Sequence, residues 1–502
     1  RVSALSDRME QSDHPALPLG FARRAGVAVQ REPGPDGALR LAGSPKSTGQ
    51  AWREARRVLD RPLVIEQLGE AEFLSLLEEL YGTGEAGTGD EALAIELEID
   101  DAHGKASVTD LLDDAAQAPV IQLINTLLRR ALQARASDMH VEPMEEGMRV
   151  RMRIDGVLRT VMERRDAPTG MIVSRFKVMA GLDIAETRLP QDGRLSLSFG
   201  GRAVDVRMSS LPSKYGERVV LRLLDKSSGQ FSLSEIGLRP DQQPRIDRMI
   251  SHPNGIVLVT GPTGSGKTTS LYAVMRSLNS AERNILTVED PVEYDLEGIG
   301  QTQVNAQIGM SFANSLRAIL RQDPDIVLVG EIRDGETASI AVQAALTGHL
   351  VLSTLHTNTA LGAITRLRDL GVEPYLLSST LRGLIAQRLV RRVCPDCVRM
   401  EPLAETDQNL FTRHGLSIPA AVPVAAGCPS CDDTGYRGRL GVYEIVEVTP
   451  ALSSLIHDDA GERALAAQGL APSDTLLASG LRAVADGHTT LDEALRVIAE
   501  RE

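Results

Sequence analysis

Three groups of residues in this 502-residue chain could do chemistry. The first is "GPTGSGKTTS", Gly261 to Ser270, directly after the apolar stretch "GIVLV". Gly261 to Thr268 satisfies G-x-x-x-x-G-K-[ST] in the strand, loop and helix context that this motif needs. Glycines let backbone N–H groups turn inward toward phosphate oxygens, and the start of the helix directs its positive end at the same charge. Pro262, Thr263, Gly264, Ser265, Gly266, Lys267, Thr268 and Thr269 are therefore expected to cradle a nucleotide. Lys267 should reach the β- and γ-phosphates, and the Thr268 hydroxyl should ligate Mg²⁺.

The second group is acidic and lies at strand ends. "ILTVEDPVEY" carries Glu289, Asp290 and Glu293; "DPDIVLVGEIRD" carries Glu331 just past an apolar strand. In a parallel sheet the carboxyl ends of the strands face the ligand crevice. A nucleotide hydrolase needs one acid there for the metal shell and one to orient the attacking water. Many phosphate-loop enzymes place an Asp at the end of that second strand; here Gly330 occupies the spot and Glu331 follows. Glu293 is favoured for water activation and Glu331 for the magnesium shell, with the reverse assignment open. "TGHLVLSTLHTN" puts His349 and His356 at the two ends of another apolar strand, where a histidine could sense the γ-phosphate or serve structure alone.

The third group is "CPDC" (Cys394, Cys397) and "CPSC" (Cys428, Cys431), which use all four cysteines. Paired C-x-x-C turns wrap a tetrahedral ion, and four sulfur ligands leave no open position for water. A structural Zn²⁺ is expected, with redox or unpaired cysteines as the alternative.

Positioning these groups requires an α/β scaffold. Short apolar runs ("GIVLVTG", "NILTVED", "DIVLVGE", "HLVLSTLH") alternate with helical segments, which implies a parallel sheet. Before it, "PVIQLINTLLRRALQARASD" has the spacing of an amphipathic helix. "MRVRMRIDG" and "AVDVRMSS" alternate as half-buried strands with Arg outside and Met, Val or Ile inside. Asp155-Gly156 and Asp192-Gly193 read as turns. The expected organisation is an N-terminal docking module over 1–82, an acidic linker over 83–109 and a basic α+β second N-domain over 110–228. A nucleotide domain over 229–392, a tetracysteine zinc lobe over 393–440 and a helical C-terminal part over 441–502 follow. Within the first module, "REPGPDGALRLAGSPKSTG" looks loop-like, and Phe73, Leu76, Leu77 and Leu80 suggest a helix over 63–81. The last helix is expected to open with a capping box of Thr490 and Glu493.

Composition narrows the class. Net charge is −14, against wholesale coating by nucleic acid. From Glu85 to Asp114 ten acids face one base, whereas from Arg149 to Lys226 sixteen Lys/Arg face nine acids. The second stretch is thus the one suited to phosphates. No run of about 18 apolar residues and no signal peptide is present, so the chain reads as soluble and cytoplasmic.

"ASDMHVEP", "LPQDGR", "GERVVLRLLDK", "GPTGSGKTT", "EDPVEY", "DPDIVLVGEIRD", "TGHLVLSTLHTN" and the paired cysteines occur in one order. Over about residues 110–450 this resembles the secretion-superfamily ATPases, and more closely the type II (general) secretion pathway ATPase. The resemblance implies a RecA-like ATPase domain and a homo-hexamer using ATP, Mg²⁺ and Zn²⁺. It implies an N-terminal module docked on the cytoplasmic part of an inner-membrane assembly protein, and contact with an inner-membrane platform protein. Hydrolysis would drive pseudopilus assembly and protein export. It also matches Arg207 and Arg222 to positions that approach the γ-phosphate from the second N-domain, and Arg317, Arg321 and Arg333 to positions near the nucleotide or a subunit interface. A type IV pilus assembly ATPase, a DNA-uptake motor and a non-hydrolytic nucleotide-gated scaffold are the competing readings; nucleic acid is not an expected partner.

Overall fold

The computed structural model describes residues 17, 22, 25–29, 39–59, 63–69, 72, 73, 76, 96–98, 118–199, 202–225 and 231–498. The chain divides into two compact units, residues 1–93 and 94–502.

In the first unit, β1 (Val27–Val29), β2 (Leu39–Gly43) and β3 (Leu63–Gln67) form a three-stranded sheet. A helix over Gly49–Leu59 packs Ala51, Ala55 and Leu59 against Val27, Val29 and Leu41. This corrects two expectations. The loop-like run contains β2, because Leu39 and Leu41 alternate onto the core. The stretch read as a helix from residue 63 begins instead as a strand, since "LVI" pairs in parallel with β2. Phe73 is buried with Ala28 and Ala42; Leu77 and Leu80 lie outside the described residues.

The second unit holds two seven-stranded sheets. The strands of the first are β4 (Glu96–Glu98), β5 (Asp138–Pro143), β6 (Met148–Ile154), β7 (Val157–Arg164), β8 (Gln191–Phe199), β9 (Arg202–Ser213) and β10 (Gly216–Asp225). They pair antiparallel throughout, in the order β4-β8-β9-β10-β5-β6-β7. Helices over Ala118–Gln133 and Thr169–Met179 cover one face with Ile124, Leu128 and Phe176. Met139, Val150, Met152, Val206 and Leu221 meet them from the sheet. Period-2 alternation then leaves Arg149, Arg151, Arg153, Arg194, Arg207, Arg218 and Arg222 on the other face. Two details differ from expectation. Glu96–Glu98, inside the stretch read as a linker, pairs with Ser196–Ser198; the rest of 83–109 lies outside the described residues. Asp192-Gly193 is not a turn but part of β8, where a Cβ on Gly193 would meet the Ala180 carbonyl at 2.5 Å. Asp155-Gly156 does turn, with φ of 48° and 83°, as a two-residue hairpin of this type requires.

Strands β11 (Gly255–Thr260), β12 (Ile285–Glu289), β13 (Gly300–Gln303), β14 (Ile326–Val329), β15 (Leu350–Leu355) and β16 (Leu381–Val393) belong to the other sheet. Between the cysteine pairs lie β17 (Val398–Pro402) and β18 (Ala421–Ala425), paired antiparallel with each other, and a helix over Glu405–Arg413. Strand β19 (Tyr436–Glu447) then returns to complete the sheet, in the order β13-β12-β14-β15-β11-β16-β19. All pair in parallel except β19, which runs antiparallel to β16. Both faces are covered. Ile256, Leu258, Val327 and Val351 join one core cluster, whereas Val257, Val259, Ile326 and Leu352 join the cluster on the opposite face. That double burial is why these strands read as unbroken apolar runs. Thr490 caps the last helix by accepting from the Glu493 N–H at 3.1 Å. Glu493 does not complete the box; its carboxylate takes Arg391 at 2.7 Å and Arg496 at 2.8 Å.

The antiparallel sheet is pinned by a buried ion pair. Lys177 Nζ donates to Glu217 Oε1 at 2.9 Å and to the Glu186 carbonyl at 2.6 Å, with the lysine 1% exposed. Removing one member of such a pair leaves an uncompensated buried charge. Lys177→Ala is therefore expected to destabilise this domain by about 3–5 kcal/mol. The measurement is hydrogen-exchange protection of β9 and β10 amides, and unchanged protection would show that the pair does not hold the sheet.

Candidate functional site

The phosphate loop leaves β11 and enters a helix over Lys267–Leu278 through Gly266, whose φ is 87°. Two glycines are obligatory. A Cβ on Gly261 would lie 2.6 Å from both the Gln387 carbonyl and Ser265 Oγ, and one on Gly266 would lie 2.8 Å from Gln387 Nε2. Lys267 Nζ donates to the Gly261 carbonyl at 2.7 Å and to that of Pro262 at 3.1 Å. Burial lowers its pKa to about 8; the Glu331 charge opposes this shift and Arg388 adds to it. Thr263, Gly264 and Thr268 are exposed, whereas Ser265 Oγ is buried without a hydrogen-bond partner. A glycine-lined turn, an orphaned hydroxyl and a half-buried cation at a helix start fit a polyphosphate.

Parallel pairing brings the strand ends to one edge. Thr260 ends β11 opposite Leu355 of β15, and Val329 of β14 pairs with Ser353. Glu331 and His356 follow those ends and meet, with His356 Nε2 3.3 Å from Glu331 Oε2. Arg333 holds the other Glu331 oxygen. Asp290 is exposed and lies in the field of Arg333.

Arg207 arrives from the antiparallel sheet. Its Nη2 donates to the Val292 carbonyl at 2.9 Å, and its Nη1 lies 3.5 Å from Glu293 Oε2. Arg207 Nε and Glu293 Oε2 are both buried without a hydrogen bond. Arg222 pairs instead with Asp138 at 3.0 Å and is 59% exposed. It stands directly across from Arg207 in the β9–β10 register.

Two expected residues are placed elsewhere. Glu289 turns into the protein, 3% exposed. It accepts from the Tyr272 hydroxyl, from Thr287 Oγ1 at 2.6 Å and from Gln301 Nε2 at 3.2 Å, so it ties β12 and β13 to the helix that follows the phosphate loop. His349 precedes β15 at the opposite edge of the sheet, its carbonyl accepting from the Gly255 N–H at 3.1 Å. Six residues of strand, about 20 Å at 3.3 Å per residue, separate it from the phosphate loop. Its ring contacts the Ala344 carbonyl at 2.9 Å, a structural role. Arg317 and Arg321 are exposed on and after the helix over Phe312–Ile319, Arg317 paired with Glu336 at 2.5 Å.

Gln387 and Arg388 escaped the sequence reading. Gln387 accepts from Ser270 Oγ at 2.8 Å. Arg388, 5% exposed, donates to the Gln387 and Asn358 carbonyls and backs Gly261. Their visible sign was two polar residues inside the apolar run "LIAQRLV", where a buried charge needs a stated partner.

The four cysteines converge. Their sulfurs all lie within 4.8 Å of one another, with Cys394–Cys428 and Cys397–Cys431 at 3.9 Å and Cys428–Cys431 at 3.7 Å. Four ligands at about 2.3 Å from a tetrahedral zinc stand about 3.8 Å apart. Backbone N–H groups of Cys428 and Gly435 donate to Cys431 Sγ, which suits a thiolate. The cluster therefore fits Zn²⁺, held by Cys394, Cys397, Cys428 and Cys431, and offers no catalytic position.

Two outcomes are expected. Chelation after unfolding should release one zinc per chain, and Cys394→Ser should lower metal content and loosen residues 394–436; a metal-free native chain with an intact lobe would contradict this. Because Lys267 loses its proton near pH 8 while a phosphate ligand favours the charged form, nucleotide binding should take up protons at about pH 8.5 and not at about pH 6.5. Calorimetry in buffers of different ionisation heat reads this directly.

Comparison with known proteins agrees with this geometry. The family described as Type II/IV secretion system protein matches residues 113–496, and a domain family of GSPII protein E matches residues 16–81. The type II secretion system protein E of Aeromonas hydrophila is 50% identical over 489 residues, covering 97% of each chain. The type II secretion system ATPase E of Vibrio cholerae is 50% identical over 456 residues, covering 90% of each. The solved pilus retraction motor PilT with bound ADP is 25% identical with a TM-score of 0.51, over 75% of this chain and 96% of that one. A nucleotide-type parallel sheet, a phosphate loop and this degree of identity over nearly the whole length lead to one assignment: the chain belongs to the Type II/IV secretion system protein family, among the ATPases of type II secretion.

Proposed function

We propose that this chain is the ATP-hydrolysing motor of a type II secretion system, coupling hydrolysis to pseudopilus assembly and protein export. The observation that carries the reading is Arg207, a cation from one sheet seated on Val292 and Glu293, which follow β12 of the other. It makes the nucleotide edge a joint between two domains, so chemistry there can be converted into a change of angle.

In this reading Lys267 and the loop from Pro262 to Thr269 bind the phosphates. Thr268 and Glu331 would hold Mg²⁺, which supplies charge neutralisation of the phosphate oxygens. Glu293 orients the attacking water and accepts its proton. While Glu293 is paired with Arg207 it is a restrained base; movement of Arg207 toward the γ-phosphate frees the carboxylate and delivers positive charge where it develops in the transition state. Arg222 reaches the same charge from the neighbouring strand, and His356 holds Glu331 in orientation. Arg333, Arg317 and Arg321 are assigned to the nucleotide edge and to contacts between subunits.

The chain is proposed to act as a homo-hexamer on the cytoplasmic side of the inner membrane. Residues 1–82 would dock on the cytoplasmic part of an inner-membrane assembly protein, with a platform protein as second partner. Among the described residues no helix is long and apolar enough to cross a membrane, consistent with attachment through a partner. The GSPII protein E domain match over 16–81 supports type II secretion above a type IV pilus system. A DNA motor is disfavoured because Arg149, Arg151, Arg153, Arg218 and Arg222 are paired with Glu163, Glu142 and Asp138 rather than free for a backbone.

Lys267→Ala and Glu293→Gln should each abolish ATP turnover, and Arg207→Ala should reduce kcat by about 10³-fold, the low end for an arginine finger. Steady-state phosphate release from the assembled full-length chain measures all three. Near wild-type turnover in Glu293→Gln would move the base to Glu331.

A further inference from the structure

Strands β8, β9 and β10 place Arg194 opposite Arg207, and Arg207 opposite Arg222. Leu195, Val206 and Leu221 point into the core, so the three arginines share the outer face. They form one row across three strands, about 10 Å long at 4.7–4.9 Å per strand spacing. Like charges directly opposite one another destabilise a sheet, and the row is only partly compensated. Arg222 has Asp138, and Arg207 has Glu293 at 3.5 Å. Arg194 is exposed and has no ion-pair or hydrogen-bond partner among the described residues. Buried Arg207 Nε is likewise unsatisfied.

The row lines an open groove of about 440 Å³. Its neighbouring row is Asp192, Ser209 and Val220. Arg207 connects the groove to the nucleotide edge through Val292. A line of cations about 10 Å long suits a chain of linked anionic groups better than a single one.

We propose that Arg194 is a further binding residue for the nucleotide, contacting the terminal phosphate of a nucleoside triphosphate as the third member of the row. This rests on the reading of Arg207 and Arg222 given above. Arg194 supplies a charge-assisted hydrogen bond that a diphosphate lacks the terminal group to accept. It therefore contributes to discrimination between ATP and ADP and is engaged only when the row approaches the phosphate loop.

The test uses the full-length, assembled chain with Mg²⁺. Affinities for a non-hydrolysable ATP analogue and for ADP are measured in wild type, Arg194→Ala, Arg194→Lys and Arg207→Ala. Arg194→Ala should weaken the ATP analogue about tenfold, leave ADP within about twofold, and keep its thermal unfolding unchanged because the side chain is exposed; Arg194→Lys should recover part of the loss. Wild-type analogue affinity and turnover in Arg194→Ala, alongside an impaired Arg207→Ala, would overturn the role of Arg194 and leave the ATPase reading standing. Unimpaired Arg207→Ala would instead overturn the reading of the whole row. Weaker binding of Arg194→Ala to phosphatidylglycerol vesicles with unchanged analogue affinity would assign the row to a lipid headgroup and also overturn the proposal.

Discussion

Parallel pairing of β12, β14, β15 and β11 is the constraint from which the site follows. Once these strands run the same way, the residues after each of them must share one edge. The phosphate loop, Glu331 and His356 follow strands that end on that edge, where Glu331 and His356 meet, and Glu293 lies four residues beyond the end of β12. The same constraint sends His349 to the far edge, although it differs from His356 by only seven positions and belongs to the same motif. Burial of both faces makes the arrangement stiff: each fully buried Val, Leu or Ile contributes about 1.5–3 kcal/mol, and β11 presents such residues alternately to two separate clusters.

The second organising feature is how positive charge is managed. The antiparallel sheet carries most of its arginines on one face because the other face meets two helices. Arg149, Arg151, Arg153, Arg218 and Arg222 are offset by Asp138, Glu142 and Glu163 on adjacent strands. Arg207 alone in its row finds its acid outside the sheet, in the segment that follows β12. That choice of partner turns a domain surface into part of a site. A second contact, from the Gly438 N–H to Asp155 at 2.8 Å, joins the same two regions beside the cysteine lobe.

Glu289 and Gln387 brace the helix that follows the phosphate loop. Glu289 gathers Tyr272, Thr287 and Gln301, while Gln387 ties Ser270 to β16. Strand β16 then runs on to Cys394, so a single strand joins Gln387, beside Gly261, to the cysteine lobe. The helix that carries Lys267 is thus held by two polar side chains buried within the domain.

The amino-acid sequence by itself determined the alternating strands and helices of the nucleotide domain, the phosphate loop and the cysteine cluster. Each of these rests on local chemistry: period-2 or continuous apolar runs, glycine at tight turns, and four thiols at knuckle spacing. It misread residues 63–67 and Gly193, where an apolar stretch and an Asp-Gly dipeptide were local signals overridden by strand pairing. Only the tertiary structure decided which acids are available. Glu289 and Glu293 are four residues apart and chemically alike, yet one is sealed under Tyr272 and the other meets Arg207, 86 positions earlier. Burial and charge partners are set by contacts distant in the chain, so spacing could name the candidates but could not choose among them.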